Sequence, residues 1–133
     1  MRLHHVQVAC PPGGEEIARA FYAGGLGLTE VAKPPVLAAR GGCWFRAYDG
    51  DGRVTAEIHV GVEEPFTPAR KAHPSFVVTD LDEVAARLAA AGIDVAFNDE
   101  IPGVRRFETS DPFGNRLEFR GAVDPGSPFE PGA

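Results

Sequence analysis

The chain has 133 residues, with 13 Lys and Arg against 19 Asp and Glu and a formal net charge of -6 at pH 7. A chain of this length is read as one domain that buries a core without staples, and its acidic balance lacks the footprint with which a nucleic-acid binder neutralises phosphates. No window reaches the roughly 18 consecutive apolar residues needed to cross a bilayer, so a small-molecule substrate is expected, with neither a nucleic acid nor a membrane as partner.

"MRLHHVQV" opens the chain with a single arginine and no long apolar run. It resembles neither a secretory signal nor a transit peptide, and a cytoplasmic protein is expected. Cys10 and Cys43 accordingly read as reduced thiols. A first strand leads through Pro11-Pro12-Gly13-Gly14 into a helix over about Glu15 to Ala23, with Ile17, Ala20 and Phe21 on one face and Gly24-Gly25 ending it. Strands follow at about Val36 to Arg40, Cys43 to Tyr48 and Ala56 to Val62, the last two joined by the hairpin signal "DGDG" at 49–52. Residues 63–72, charged and Pro-containing, suit a linker. A second series then begins at His73. Asp80 and Glu83 have capping-box spacing, and Leu81, Val84, Ala85 and Leu88 recur at helical intervals until Gly92. Strands are expected at about Val95 to Asn98, Arg105 to Thr109 and Asn115 to Arg120, the last pair joined by "DPFG". Residues 122–133 are rich in Pro and Gly and read as an arm or a disordered tail.

The order β-α-β-β-β thus occurs twice, over 1–62 and 73–121, an α+β arrangement of two tandem modules within one domain. Laying "EIHV" (57–60) over "RLEF" (116–119) puts His59 on Glu118, and the first strands pair His5 with His73. Alternate residues of a strand point oppositely. Val6 and Val8, Phe76 and Val78, Ile58 and Val60, and Leu117 and Phe119 therefore pack inward, leaving His5, His59, His73 and Glu118 on the other face. Three imidazoles and one carboxylate at matched places form a candidate site for a divalent first-row metal such as Zn, Ni, Mn, Co or Fe. His4 falls with Val6 and Val8 and reads as a strand-end residue or a donor behind the ligands. Its adjacency to His5 leaves open which of the two is the ligand.

The doubled module, with "HHVQV" and "FYAGGLGL" in the first half and "AHPSFVVTDLDEV" and "DPFGNRLEF" in the second, resembles the vicinal oxygen chelate superfamily. That group contains glyoxalase I, fosfomycin-resistance enzymes, extradiol dioxygenases, methylmalonyl-CoA epimerase and bleomycin-resistance proteins. The likeness covers about residues 3–121. It implies a glyoxalase-like fold with a curved eight-stranded mixed sheet and a homodimer, and it places His5, His59, His73 and Glu118 on the family's metal positions. Bacterial glyoxalase I, by the same resemblance, usually offers a second Glu where this chain has His59.

Four protein ligands leave about two positions of an octahedral ion for a substrate with neighbouring oxygens, and the ion would act as a Lewis acid. A lyase or isomerase acting on a small oxygenated carbonyl compound is the first expectation, with Glu118 as catalytic base. Trp44, Arg46 and Tyr48 alternate along one strand, and Gln7 and Ser75 share the faces of His5 and His73. Together with Arg106 these are the candidate substrate contacts. Arg46 or Arg106, if turned inward, would suit an anionic group. A metal-free binding protein of the bleomycin-resistance kind and an Fe(II) extradiol dioxygenase are the alternative readings.

Overall fold

A computed structural model describes residues 1–121. The predicted tail, 122–133, lies outside the described residues. Strand β1 (Val6–Cys10) is followed by α1 (Glu15–Ala18), a π-helical continuation (Arg19–Gly25), β2 (Thr29–Val31), α2 (Pro35–Ala38), β3 (Cys43–Tyr48) and β4 (Val54–Val62). The second half contains β5 (Ser75–Val77), α3 (Leu81–Ala90), β6 (Ala96–Asn98), β7 (Arg106–Ser110) and β8 (Arg116–Arg120). The eight strands form two four-stranded sheets, ordered β1-β4-β3-β2 and β5-β8-β7-β6. Each sheet has one parallel pair, β1 with β4 and β5 with β8, and is otherwise antiparallel. The identical order in both halves is the tandem repeat of the sequence expressed as topology.

Two expectations need correcting. The second strand of the first module is Thr29–Val31, and the run read as a strand at 36–40 begins with the one-turn helix α2. Pro35 supplies the reason, because a proline in the first helical turn has no amide to waste and its φ is already helical. The first helix also buries a different face. Ala18, Phe21 and Tyr22 are buried, while Ile17 is 52% exposed. Past Arg19 the helix widens, and the amide of Leu26 reaches the carbonyl of Phe21 five residues back at 2.9 Å. Ala18, Phe21 and Tyr22 stand at i, i+3 and i+4 and so share the buried face. Helix α3 follows its pattern closely, with Leu81, Ala85 and Leu88 buried and the Asp80 side chain accepting from the Glu83 amide at 3.0 Å.

The core joins both modules, from Val8, Phe45, Ile58 and Val60 of the first to Phe107, Leu117 and Phe119 of the second. Both cysteines are buried and free. The "DPFGN" turn locks the halves together. Asn115, fully buried, donates through Nδ2 to the carbonyl of Ala9 on β1 at 2.7 Å and to Asp111 Oδ2 at 2.8 Å, and accepts from the Ala69 amide at 3.0 Å. Tyr22, from the first module, donates to Asp111 Oδ2 at 2.6 Å. Among the described residues no helix is long and apolar enough to cross a membrane.

Candidate metal and substrate site

Strand pairing fixes the face of each sheet that carries the polar residues. On β4, Glu57 and His59 are two residues apart and so share a face, and the register sets Gln7 of β1 and Trp44 of β3 on either side of His59. His59 is sandwiched between two rings, stacked on Trp44 at 4.1 Å between centroids and on His5 at 3.9 Å. Its Nε2 donates to Glu57 Oε2 at 2.7 Å, and Arg46 Nε donates to Glu57 Oε1 at 2.5 Å. His4 Nδ1 lies 2.9 Å from His5 Nδ1 and 3.8 Å from Glu57 Oε2.

Burial of His59 pushes its imidazole below the ordinary histidine range, and the nearby Glu57 only partly offsets this. The ring is thus favoured in the neutral form that binds metals, with Glu57 fixing its tautomer and orientation. Burial by itself would raise the Glu57 carboxyl, but the hydrogen bonds from Arg46 and His59 outweigh it and hold the group below the usual carboxylate range. These residues line a cavity of about 640 Å³ that also takes in Gln7, Lys33, Leu37 and Arg40.

The second sheet carries a matching half-site. Ser75 on β5 lies beside Glu118 on β8, as Gln7 lies beside His59. Glu118 is buried; its Oε1 accepts from Arg106 Nη1 at 3.0 Å and from Arg120 Nε at 3.2 Å. Its Oε2 faces His73 Nε2 across 3.6 Å. Here too burial would raise the carboxyl, and the hydrogen bonds from Ser75, Arg106 and Arg120 bring it lower.

The chain therefore brings His5 to His59 and His73 to Glu118, but does not gather the four into one cluster. Among the described residues, the group of three or more potential ligands whose donor atoms all lie within 4.8 Å of one another is His4, His5 and Glu57. Neither His73 nor Glu118 lines the large cavity. A more open hollow of about 350 Å³, lined by Phe97, Asn98, Asp99, Val104 and Arg105, takes in none of His5, His59, His73 and Glu118.

Of the proposed substrate contacts, Gln7, Trp44 and Arg46 line the cavity, while Tyr48 sits beyond a bulge after Ala47, 43% exposed and outside the lining. Both arginines that were candidates for an anionic group are engaged by carboxylates, Arg46 by Glu57 and Arg106 by Glu118. Glu57 was absent from the sequence-based set although its signal was present, two residues from His59 on the same strand. His4 departs from its expected inward direction because β1 begins only at Val6, so the pleat rule does not govern His4 or His5.

Tandem modules with the same strand order in both halves define a fold of the glyoxalase type. The chain belongs to the Glyoxalase/Bleomycin resistance protein/Dioxygenase superfamily, whose family model matches residues 2–119. Comparison with curated proteins gives no match. Among solved structures it is similar to a protein of Bacillus anthracis assigned to the glyoxalase family, at 48% identity over 91% of this chain and 98% of that one, with a TM-score of 0.79. The fosfomycin resistance protein FosX from Listeria monocytogenes shares the fold at 15% identity, over 92% and 94% of the two chains, with a TM-score of 0.70. The antibiotic binding protein TnmS3 from Streptomyces sp. CB03234 is 26% identical over 91% and 98%, with a TM-score of 0.63.

Proposed function

We propose that the chain is a divalent-metal-dependent lyase or isomerase acting on a small oxygenated carbonyl compound, with the ion held by His5 and His59 of one copy and His73 and Glu118 of a second. The observation that carries this reading is a pair of lone-pair atoms facing each other. His73 Nδ1 lies 2.8 Å from the carbonyl oxygen of Lys71, which can only accept, so Nδ1 carries the proton. In the neutral ring the lone pair of Nε2 then faces Glu118 Oε2 at 3.6 Å. Two such atoms favour a cation between them, and ligands about 2.1 Å from one ion lie roughly 3 to 3.5 Å apart.

Two residues fill only part of a coordination sphere. The first half-site offers the complementary part from equivalent positions of the repeat, and a two-fold pairing of copies would join unlike halves. Three imidazole nitrogens and one carboxylate oxygen suit Zn, Ni, Mn, Co or Fe. Such an ion, when bound, polarises a carbonyl oxygen and stabilises the negative charge that develops on it. Glu57 and the stacked Trp44 hold His59 in place. Arg106 and Arg120 occupy Oε1 of Glu118, so Oε2 is the oxygen that holds the ion and that, once released from it, would accept a proton from the carbon beside the carbonyl. Gln7 and Ser75, beside these groups, orient the substrate.

A second reading, sequestration without chemistry, draws support from the likeness to an antibiotic binding protein and from the size of the cavity. Elemental analysis of the purified chain and of a His73→Ala, Glu118→Ala variant separates the two. About one ion per chain, lost in the variant, is the expected result. Iron in place of Zn, Ni, Mn or Co would favour a dioxygenase, and no metal in either protein would overturn the metal-dependent reading in favour of sequestration.

A further inference from the structure

We propose that the substrate is an organic anion whose carboxylate or phosphonate is received by Lys33 and Arg40, the two cations that bracket α2 at the cavity. This rests on the reading above that the cavity over His5 and His59 is where the carbonyl is bound.

The cavity is cationic although the chain is acidic. Lys33, Arg40 and Arg46 all line it, and Glu57 is the carboxylate that faces them. Glu57 is already committed, with Arg46 on Oε1 and His59 on Oε2. That leaves Lys33 and Arg40 uncompensated, and among the described residues neither has a carboxylate within the 4.0 Å of an ion pair. Arg53, Arg70 and Arg87 are likewise without an ion pair, but they do not line the cavity, whereas Lys33 and Arg40 do.

Lys33 is anchored at the cavity, and Arg40 lines it as an exposed residue. Lys33 donates its ammonium to the backbone carbonyl of Gly41, which anchors the side chain without cancelling its charge. Arg40 follows the single turn of α2, and the Arg40 amide bonds to the Leu37 carbonyl at 3.1 Å. Charge-assisted hydrogen bonds from an ammonium and a guanidinium suit a carboxylate or phosphonate, the guanidinium being able to engage two of its oxygens. A neutral carbonyl compound would leave both cations without a partner. A substrate carrying the anion beside or near its carbonyl would meet both the cations and the imidazole floor.

The sole tryptophan of the chain, Trp44, is stacked on His59 in this cavity, so its fluorescence reports occupancy. The probes are 4-methyl-2-oxopentanoate and its neutral primary amide, titrated into the full chain with and without prior removal of metal by chelation. The oxo acid is expected to change the emission saturably and to bind at least about tenfold more tightly than the amide. A Lys33→Gln, Arg40→Gln variant should lose that preference and bind the amide unchanged. An Arg53→Gln, Arg70→Gln variant, with the same charge change at residues outside the lining, should keep it. Equal affinity for acid and amide, no saturable response to the acid up to about 10 mM, or a preference untouched by the Lys33 and Arg40 changes would each overturn the proposal. A preference that persists in chelated protein while elemental analysis finds no metal would sink only the metal reading. A metal-loaded protein without the preference would sink only the anion proposal.

Discussion

Replacing Tyr22 by Phe removes one oxygen and keeps the ring that packs on Phe21 and Phe45. The lost group is the donor of a 2.6 Å bond to Asp111 Oδ2 that ties the first module to the "DPFGN" turn of the second. Asp111 would not be stranded. Its Oδ2 keeps Asn115 Nδ2 at 2.8 Å, and its Oδ1 keeps the amides of Phe113 and Asn115, both at 2.9 Å. The cost is therefore that of one hydrogen bond to a carboxylate, about 2 kcal/mol, without the larger penalty of an unpaired buried acceptor. For a domain of this size that lowers Tm by roughly 5 to 10 °C. Burial, and then the neighbouring Asp111, push the Tyr22 phenol well above its ordinary value. The folded chain thus holds that proton more tightly than the unfolded chain does. The contribution is complete below about pH 10, where unfolded tyrosine begins to ionise, and is lost as pH rises toward the folded value. Urea denaturation of both proteins at neutral pH and above pH 10 measures this directly. The gap between wild type and Tyr22→Phe should be about 2 kcal/mol at neutral pH and should narrow in alkali. A gap under about 0.5 kcal/mol, or one that widens with pH, would refute the role given to this bond.

Two further substitutions test the site and its frame. Glu57→Gln leaves the shape of the site but takes away the carboxylate on His59 Nε2 and the counter-charge of Arg46. Competition with a chelating dye should show metal affinity lowered about 10- to 100-fold, and unchanged affinity would remove Glu57 from its supporting role. Gly42→Ala should destabilise by about 3 kcal/mol or more, because the position has φ +84° and an added Cβ would sit 2.2 Å from the carbonyl oxygen of Val60 in the neighbouring β4. A thermal melt within about 2 °C of wild type would contradict this.

Much of this architecture was legible in the residues. Strand β3 falls on its predicted bounds, Cys43 to Tyr48, because apolar alternation and the "DGDG" turn agree there. Helix α3 is announced by its Asp80 cap. Short apolar runs were the weak point. "PPVLA" carries too few residues for period to distinguish a strand from one helical turn, and the proline decided it. The misread face of the first helix has a different origin, since Ile17, Ala20 and Phe21 and the set Ala18, Phe21 and Tyr22 share the same i, i+3, i+4 spacing one residue apart, and period alone does not choose between them. For the site, the pleat assigns faces but not distances between modules. It placed His59 and Glu118 on matched polar faces, and the same rule gives Glu57 from His59. It said nothing of whether the two half-sites meet within one chain, and the geometry of a single chain keeps His73 and Glu118 out of the His4, His5 and Glu57 cluster.

The most direct test of the central claim is metal stoichiometry after mixing two defective chains, one His5→Ala, His59→Ala and the other His73→Ala, Glu118→Ala. Each alone should hold no tightly bound ion. Dissociated and reassociated together, half of the dimers would be mixed, each with one complete site out of two, so about a quarter of the wild-type metal content should return. No recovery on mixing, or full metal retained by either chain alone, would contradict a centre shared between copies.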